Sequence, residues 1–133
     1  MISIAVCDDE LLECFSISAK IRTCMDEMGI PCNIEQFQSG KALLESLGRF
    51  DLIFLDIFME GMDGMETARR CRELAYEKIL VFLSSSRKYV FEAYDVEAFH
   101  YLVKPVDQEK LKNILRRAAE KGRELSQDYI VIS

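Results

Sequence analysis

The hydrophobic pattern of this chain changes period repeatedly, from short continuous apolar runs to stripes that recur every three or four residues, and this alternation restricts the fold more than any other feature. A continuous run suits a strand buried on both faces, whereas a stripe suits one side of a helix. Five such cycles can be read. Ile2–Cys7 has strand character; Leu11, Cys14, Ser18, Ile21, Met25 and Met28 then step by three and four until Gly29 and Pro31 end the helix. Cys32–Phe37 mixes polar and apolar residues, which predicts a half-exposed strand, and Ser39-Gly40 leads to a short helix with Leu43, Leu44 and Leu47. Residues 50–57 (FDLIFLDI) and 79–83 (ILVFL) have the composition of central parallel strands. Between them Asp63-Gly64 predicts a turn, and Met65, Ala68, Arg72 and Ala75 mark one side of a helix. Ser84-Ser85-Ser86 predicts the cap of a fourth, weakly amphipathic helix over residues 87–95. Residues 99–103 (FHYLV) form a fifth strand, and Asp107 caps a last helix with Leu111, Ile114, Leu115, Ala118 and Leu125 on one side.

Alternating strands and helices joined by crossovers of one hand give a doubly wound α/β sandwich. Strands two and five carry the most polar residues and belong at the edges. The expected fold is therefore flavodoxin-like, a (βα)5 sandwich with a five-stranded parallel sheet in the order 2-1-3-4-5. At 133 residues, half of them hydrophobic, the chain suits one domain.

In an open parallel sheet the functional crevice lies beyond the carboxyl ends of the strands. The first strand ends in Asp8-Asp9, the third in Asp56, the fourth in Ser84 and the fifth in Lys104-Pro105. Each alone has a plain structural reading: a helix cap, a turn residue, a solvated charge. Together they bring three carboxylates to one mouth, an arrangement that persists only with a compensating cation or with protonation. Carboxylates with room for water suit Mg²⁺, and a hard cation beside a lysine and a hydroxyl suits phosphoryl transfer.

Composition narrows the partners. A net charge of −6 leaves no electrostatic footprint for gripping nucleic acid, so direct binding to it is not expected. No apolar run approaches the roughly 18 residues of a membrane span. Five cysteines without CxxC or zinc-ligand spacing point to a reducing, cytoplasmic compartment, with Cys7, Cys14 and Cys71 packing as small hydrophobes.

The segments VCDDE (6–10), FLDIFMEGMDGMETAR (54–69), FLSSS (82–86) and FHYLVKPV (99–106) resemble the bacterial two-component response-regulator receiver family over residues 1–123. The stretch from Ser84 to Pro105 is most similar to receivers joined to LytTR-type DNA-binding domains. The resemblance implies that Asp56 is the phospho-acceptor and that Asp8, Asp9, Asp56 and the backbone carbonyl of Phe58 hold Mg²⁺. It implies that Ser84 meets the phosphoryl group, that Lys104 neutralises one of its oxygens, that the Lys104-Pro105 bond is cis, and that Tyr101 swings inward with Ser84. It further implies a sensor histidine kinase as phosphoryl donor. The face carrying Tyr89, Phe91, Tyr94 and Phe99 is expected to form a homodimer or partner surface on phosphorylation. His100 is expected at the surface, with Met59, Met62 and Met65 covering the acceptor loop. Residues 129–132 (YIVI) look like the start of another strand, so residues 124–133 are expected to be a linker into a C-terminal output domain.

Two other readings compete. A Mg²⁺-dependent phosphohydrolase with Asp56 as nucleophile needs an acid/base aspartate two residues on, where Phe58 stands. A phosphorylation-independent interaction module has no use for the acceptor, acidic pair, hydroxyl and lysine together.

Overall fold

Five strands and the helices between them follow one another in a computed structural model that describes the backbone of residues 1–132 and the side chains of residues 1–122. The order is β1 (Ile2–Cys7), α1 (Leu11–Glu27), β2 (Cys32–Phe37), α2 (Gly40–Leu44), a 3₁₀ turn (Leu47–Arg49), β3 (Leu52–Asp56), α3 (Gly64–Glu73), β4 (Ile79–Ser84), α4 (Val90–Asp95), β5 (His100–Val103) and α5 (Gln108–Ile132). All strand pairs are parallel and the sheet order is β2-β1-β3-β4-β5, as the polar content of the edge strands predicts.

Side chains of the central strands alternate between two cores. Ile4, Val6, Phe54, Val81 and Leu83 pack with Ile17, Ile21 and Met25 of α1 and with Leu111, Ile114 and Leu115 of α5. On the other face Ala5, Ile53, Leu55, Leu80 and Phe82 pack with Leu43 of α2, Met65, Ala68 and Cys71 of α3 and Ala93 of α4. Burying one such large side chain stabilises the fold by about 1.5–3 kcal/mol, so the fully buried β3 and β4 are its foundation. Among the described residues no helix is long and apolar enough to cross a membrane.

Register sets the strand ends level. Cys7 lies opposite Leu55, which puts Asp8 beside Asp56; Asp56 lies opposite Leu83, and Ser84 opposite Val103. The candidate residues are therefore gathered by sheet geometry, before any side chain contributes.

Several expectations are corrected. Leu11 is half exposed, because the buried face of α1 runs through Cys14, Ile17, Ile21, Cys24 and Met25. The helix ends as read: Gly29 has φ 67, and the Ile30 N–H reaches back to the Met25 carbonyl. Ala75 lies beyond α3 in a left-handed conformation, φ 66, and is exposed. Helix α4 starts at Val90 rather than at residue 87, because the serines satisfy the turn before it instead of its N-terminus. Residues 129–132 fall within α5 rather than beginning a strand; a helix pairs its backbone groups within the segment, whereas a new strand needs a partner edge. The Leu125 side chain and Ser133 lie outside the described residues.

Candidate functional site

Asp56 closes β3 and is only 4% exposed, so its carboxylate sits at the end of an apolar strand with little water around it. Asp8 follows β1 and is 2% exposed. Its Oδ1 accepts the Glu10 N–H at 3.0 Å, while Oδ2 lies 3.2 Å from Lys104 Nζ. Asp9 is half-buried and its Oδ2 accepts the Glu60 N–H at 2.8 Å. One oxygen from each of Asp8, Asp9 and Asp56 can be chosen so that all lie within 4.8 Å of one another.

Lys104 is the counter-charge. Its Nζ stands 3.1 Å from Asp56 Oδ1, 3.2 Å from Asp8 Oδ2 and 3.5 Å from Glu13 Oε2. The Lys104 N–H donates to the Ser84 carbonyl at 2.8 Å, which holds the end of β5 against β4, and the bond to Pro105 is cis. Burial, with the charge of Asp8 and then Asp9, pushes the Asp56 carboxyl up to about 6, although Lys104 pulls it back. Burial works to lower the Lys104 ammonium, but its hydrogen bond to Asp56 and the charges of Asp56 and Asp8 outweigh it and raise the group. Three clustered carboxylates against one ammonium leave the mouth negative. Hard oxygen donors with residual negative charge fit a divalent cation.

Local sequence explains why the loop after Asp56 keeps its shape. Asp63 caps α3 through the Glu66 N–H at 2.8 Å, the Thr67 hydroxyl donates to the Asp63 carbonyl, and the Gly64 N–H donates to the Ile57 carbonyl at 2.8 Å. A Cβ at Gly64 would stand 2.0 Å from the Asp56 carbonyl oxygen, so only glycine lets α3 approach β3 this closely. Phe58 projects from the loop, 46% exposed, its ring edge-on to Tyr89 at 5.6 Å. Met59 is buried with its sulfur 3.8 Å from Cys7 Sγ, Met65 lies in the core and Met62 is half-buried. Burial pushes the Cys7 thiol well up and the Cys14 thiol to about 11, so neither supplies a thiolate nucleophile.

Ser84 is fully buried and its hydroxyl oxygen accepts the Ser86 N–H at 3.1 Å. The Ser86 carbonyl in turn accepts the Tyr101 hydroxyl, whose half-buried ring leans on Phe82. One residue, Ser86, thus joins through its N–H and its carbonyl the two residues expected to move together. Beyond them Phe91 and Tyr94 are 85% and 80% exposed, and Phe99 lies under Arg117 and Lys121. A groove of about 810 Å³ runs between α4 and α5 over β5, with Val90, Tyr94, Leu102 and Arg117 among its walls. His100 is exposed, as expected.

Sequence reasoning brought Asp8, Asp9, Asp56, Ser84 and Lys104 to one mouth, and the structure places them there. It overlooked Glu13, the Glu60 N–H, Ser86 and the part played by Gly64. Glu13 carried no signal because an acidic residue in the first turn of a helix ordinarily answers the helix dipole.

A family model described as the response regulator receiver domain matches residues 4–116. The sensory transduction protein LytT of Bacillus subtilis is 25% identical over 127 residues, covering 94% of this chain and 51% of its own length. The response regulatory domain of MrkE from Klebsiella pneumoniae superposes with a TM-score of 0.81 at 26% identity, over 92% of this chain and 99% of that one. The chemotaxis protein CheY4 of Vibrio cholerae superposes with a TM-score of 0.72 at 27% identity, over 89% of this chain and 98% of that one. The chain spans about half the length of the LytT sequence it matches.

Proposed function

Because the chain belongs to the response-regulator receiver family, we propose that it is a phosphoryl-operated switch whose acceptor is Asp56 and whose donor is the phosphohistidine of a sensor kinase. The observation that carries this reading is the buried Asp56 carboxylate 3.1 Å from Lys104 Nζ, with Asp8 and Asp9 clustered beside it.

In the transfer an Asp56 oxygen attacks phosphorus in line. The new P–O bond forms as the P–N bond breaks, and its electron pair stays on the imidazole nitrogen, which is then protonated. Lys104 brings an ammonium to a phosphoryl oxygen, and Ser84, whose oxygen accepts the Ser86 N–H, keeps its own O–H free to donate to another. Asp8, Asp9, Asp56 and the Phe58 carbonyl would hold Mg²⁺, which when bound supplies charge neutralisation at the phosphoryl oxygens. Asp56 need only be ionised and positioned; at neutral pH a carboxyl near 6 is mostly so.

The two backbone hydrogen bonds of Ser86 support a readout through Tyr101. A Ser84 hydroxyl drawn toward the phosphoryl group pulls on Ser86, the residue whose carbonyl accepts the Tyr101 hydroxyl. Exposed Phe91 and Tyr94 on α4 and the neighbouring groove support a homodimer contact on the α4-β5-α5 face. The extra length of LytT supports this fold serving as the input half, residues 1–123, of a cytoplasmic transcription regulator, with residues 124–133 leading toward the output domain.

The test is intact-protein mass after incubation with acetyl phosphate and Mg²⁺. Wild type is expected to gain one phosphoryl group and Asp56→Asn none; equal labelling of the two overturns the assignment.

A further inference from the structure

We propose that Glu13 is a positioning residue for Lys104, one that holds the ammonium toward α1 and competes with the phosphoryl group for it; this rests on Asp56 being the acceptor. An ammonium has three N–H donors and no more. Three carboxylates from three elements surround Lys104 Nζ: Asp56 at 3.1 Å from the end of β3, Asp8 at 3.2 Å from the end of β1, and Glu13 at 3.5 Å from the first turn of α1. The donors therefore have takers before any phosphoryl oxygen arrives, and one partner must yield.

The partners differ in what yielding costs. The Asp8 side chain is 2% exposed and a released carboxylate there is poorly solvated. The Glu13 side chain is 42% exposed and returns to water cheaply. Glu13 is thus the ligand that exchanges with the phosphoryl oxygen, and its pull is a tax on the phosphorylated state. Helix α1 is built to exert it, because the segment carrying Lys104 is fastened to the same helix twice more. Lys20 Nζ donates to the Val106 carbonyl at 3.3 Å, and Gln108 Nε2 donates to the Lys20 carbonyl at 3.2 Å. These two contacts fix the backbone; Glu13 sets where the ammonium at its end points.

Glu13→Gln removes the charge at equal length, and Glu13→Asp keeps the charge but shortens the reach by one methylene. Both are expected to speed labelling by acetyl phosphate in Mg²⁺ and to lengthen the phosphoryl half-life about two- to fivefold, the factor available from an exposed ion pair. The gain is expected to shrink as salt rises, and to vanish when Lys104→Ala is added, while the urea midpoints of the two Glu13 single variants stay unchanged. An unchanged half-life in Glu13→Gln overturns the proposal. So does a gain that appears in Gln but not in Asp, since that marks bulk charge rather than contact. If wild type takes no phosphoryl group, it is the acceptor assignment that fails. The contact is then read from the Lys104 Nζ nitrogen resonance in metal-free protein: movement in both variants upholds the positioning role, and a resonance that stays in place overturns it.

Discussion

Helices α3 and α4 follow the two strands whose ends carry Asp56 and Ser84, and they are held in opposite ways. Helix α3 starts on a side-chain cap, presses Gly64 onto the Asp56 carbonyl and buries Met65, Thr67, Ala68 and Cys71. Helix α4 has six residues, no side-chain cap at Tyr89 and one buried residue, Ala93. Its C-terminal end is nonetheless tied down. Arg72 of α3 donates to the Val96 and Glu97 carbonyls at 2.8 and 3.0 Å while its other nitrogen holds the Tyr76 and Lys78 carbonyls. Helix α4 is therefore a lever anchored at one end and loose at the end nearer Ser84. Asp56, the proposed acceptor, stands on the side where displacement is expensive, and the proposed response lies on the side where it is cheap.

The contrast can be broken most directly at Gly64. Gly64→Ala puts a methyl group against backbone and is expected to cost about 3 kcal/mol or more in urea unfolding, the upper end of overpacking penalties. A cost under about 1 kcal/mol would mean that the acceptor side adapts as readily as the other.

The next effect is one of pH. The Asp56 carboxyl is raised from 3.8 to about 6 in the fold, so between those values the folded state binds more protons than the unfolded one, and stability falls as pH rises through the window. In metal-free protein the loss from pH 4 to 7 attributable to this group is on the order of 2–3 kcal/mol. Asp56→Asn should abolish it and unfold later than wild type at pH 7. Equal pH profiles for the two proteins would remove the buried, electrostatically strained acceptor from the rigid side.

Asp63→Ala deletes the α3 cap and should cost about 1 kcal/mol, measured by thermal unfolding. Smallest of all, Phe91→Ala and Tyr94→Ala should leave monomer stability within about 0.5 kcal/mol, because both side chains stand in water. A larger loss by calorimetry would show that α4 is packed more firmly than its exposure implies.

How much was legible in the sequence depended on how local each signal is. The runs of β3 and β4 were unmistakable, since a central parallel strand must be apolar on both faces. The edge positions of β2 and β5 followed from their polar residues. The start of α4 was misread because serines cap helices and turns equally well; which they do depends on the neighbouring backbone. Leu11 was misplaced because a stripe stepping by three and four can slide by a residue, and only the packing partners decide which face turns inward.

The same division runs through the site. Sequence by itself determined the alternation, the strand order and the residue types at four strand ends, because hydrophobic period and turn chemistry are local properties. It could place Asp8, Asp9, Asp56, Ser84 and Lys104 at one edge of a sheet. Only the tertiary structure decided that Lys104 is shared among Asp56, Asp8 and Glu13, that Ser86 joins Ser84 to Tyr101, and that Arg72 pins one end of α4. Those contacts join residues whose elements meet through crossovers, and their distances are set by register and helix rotation, which no single segment encodes.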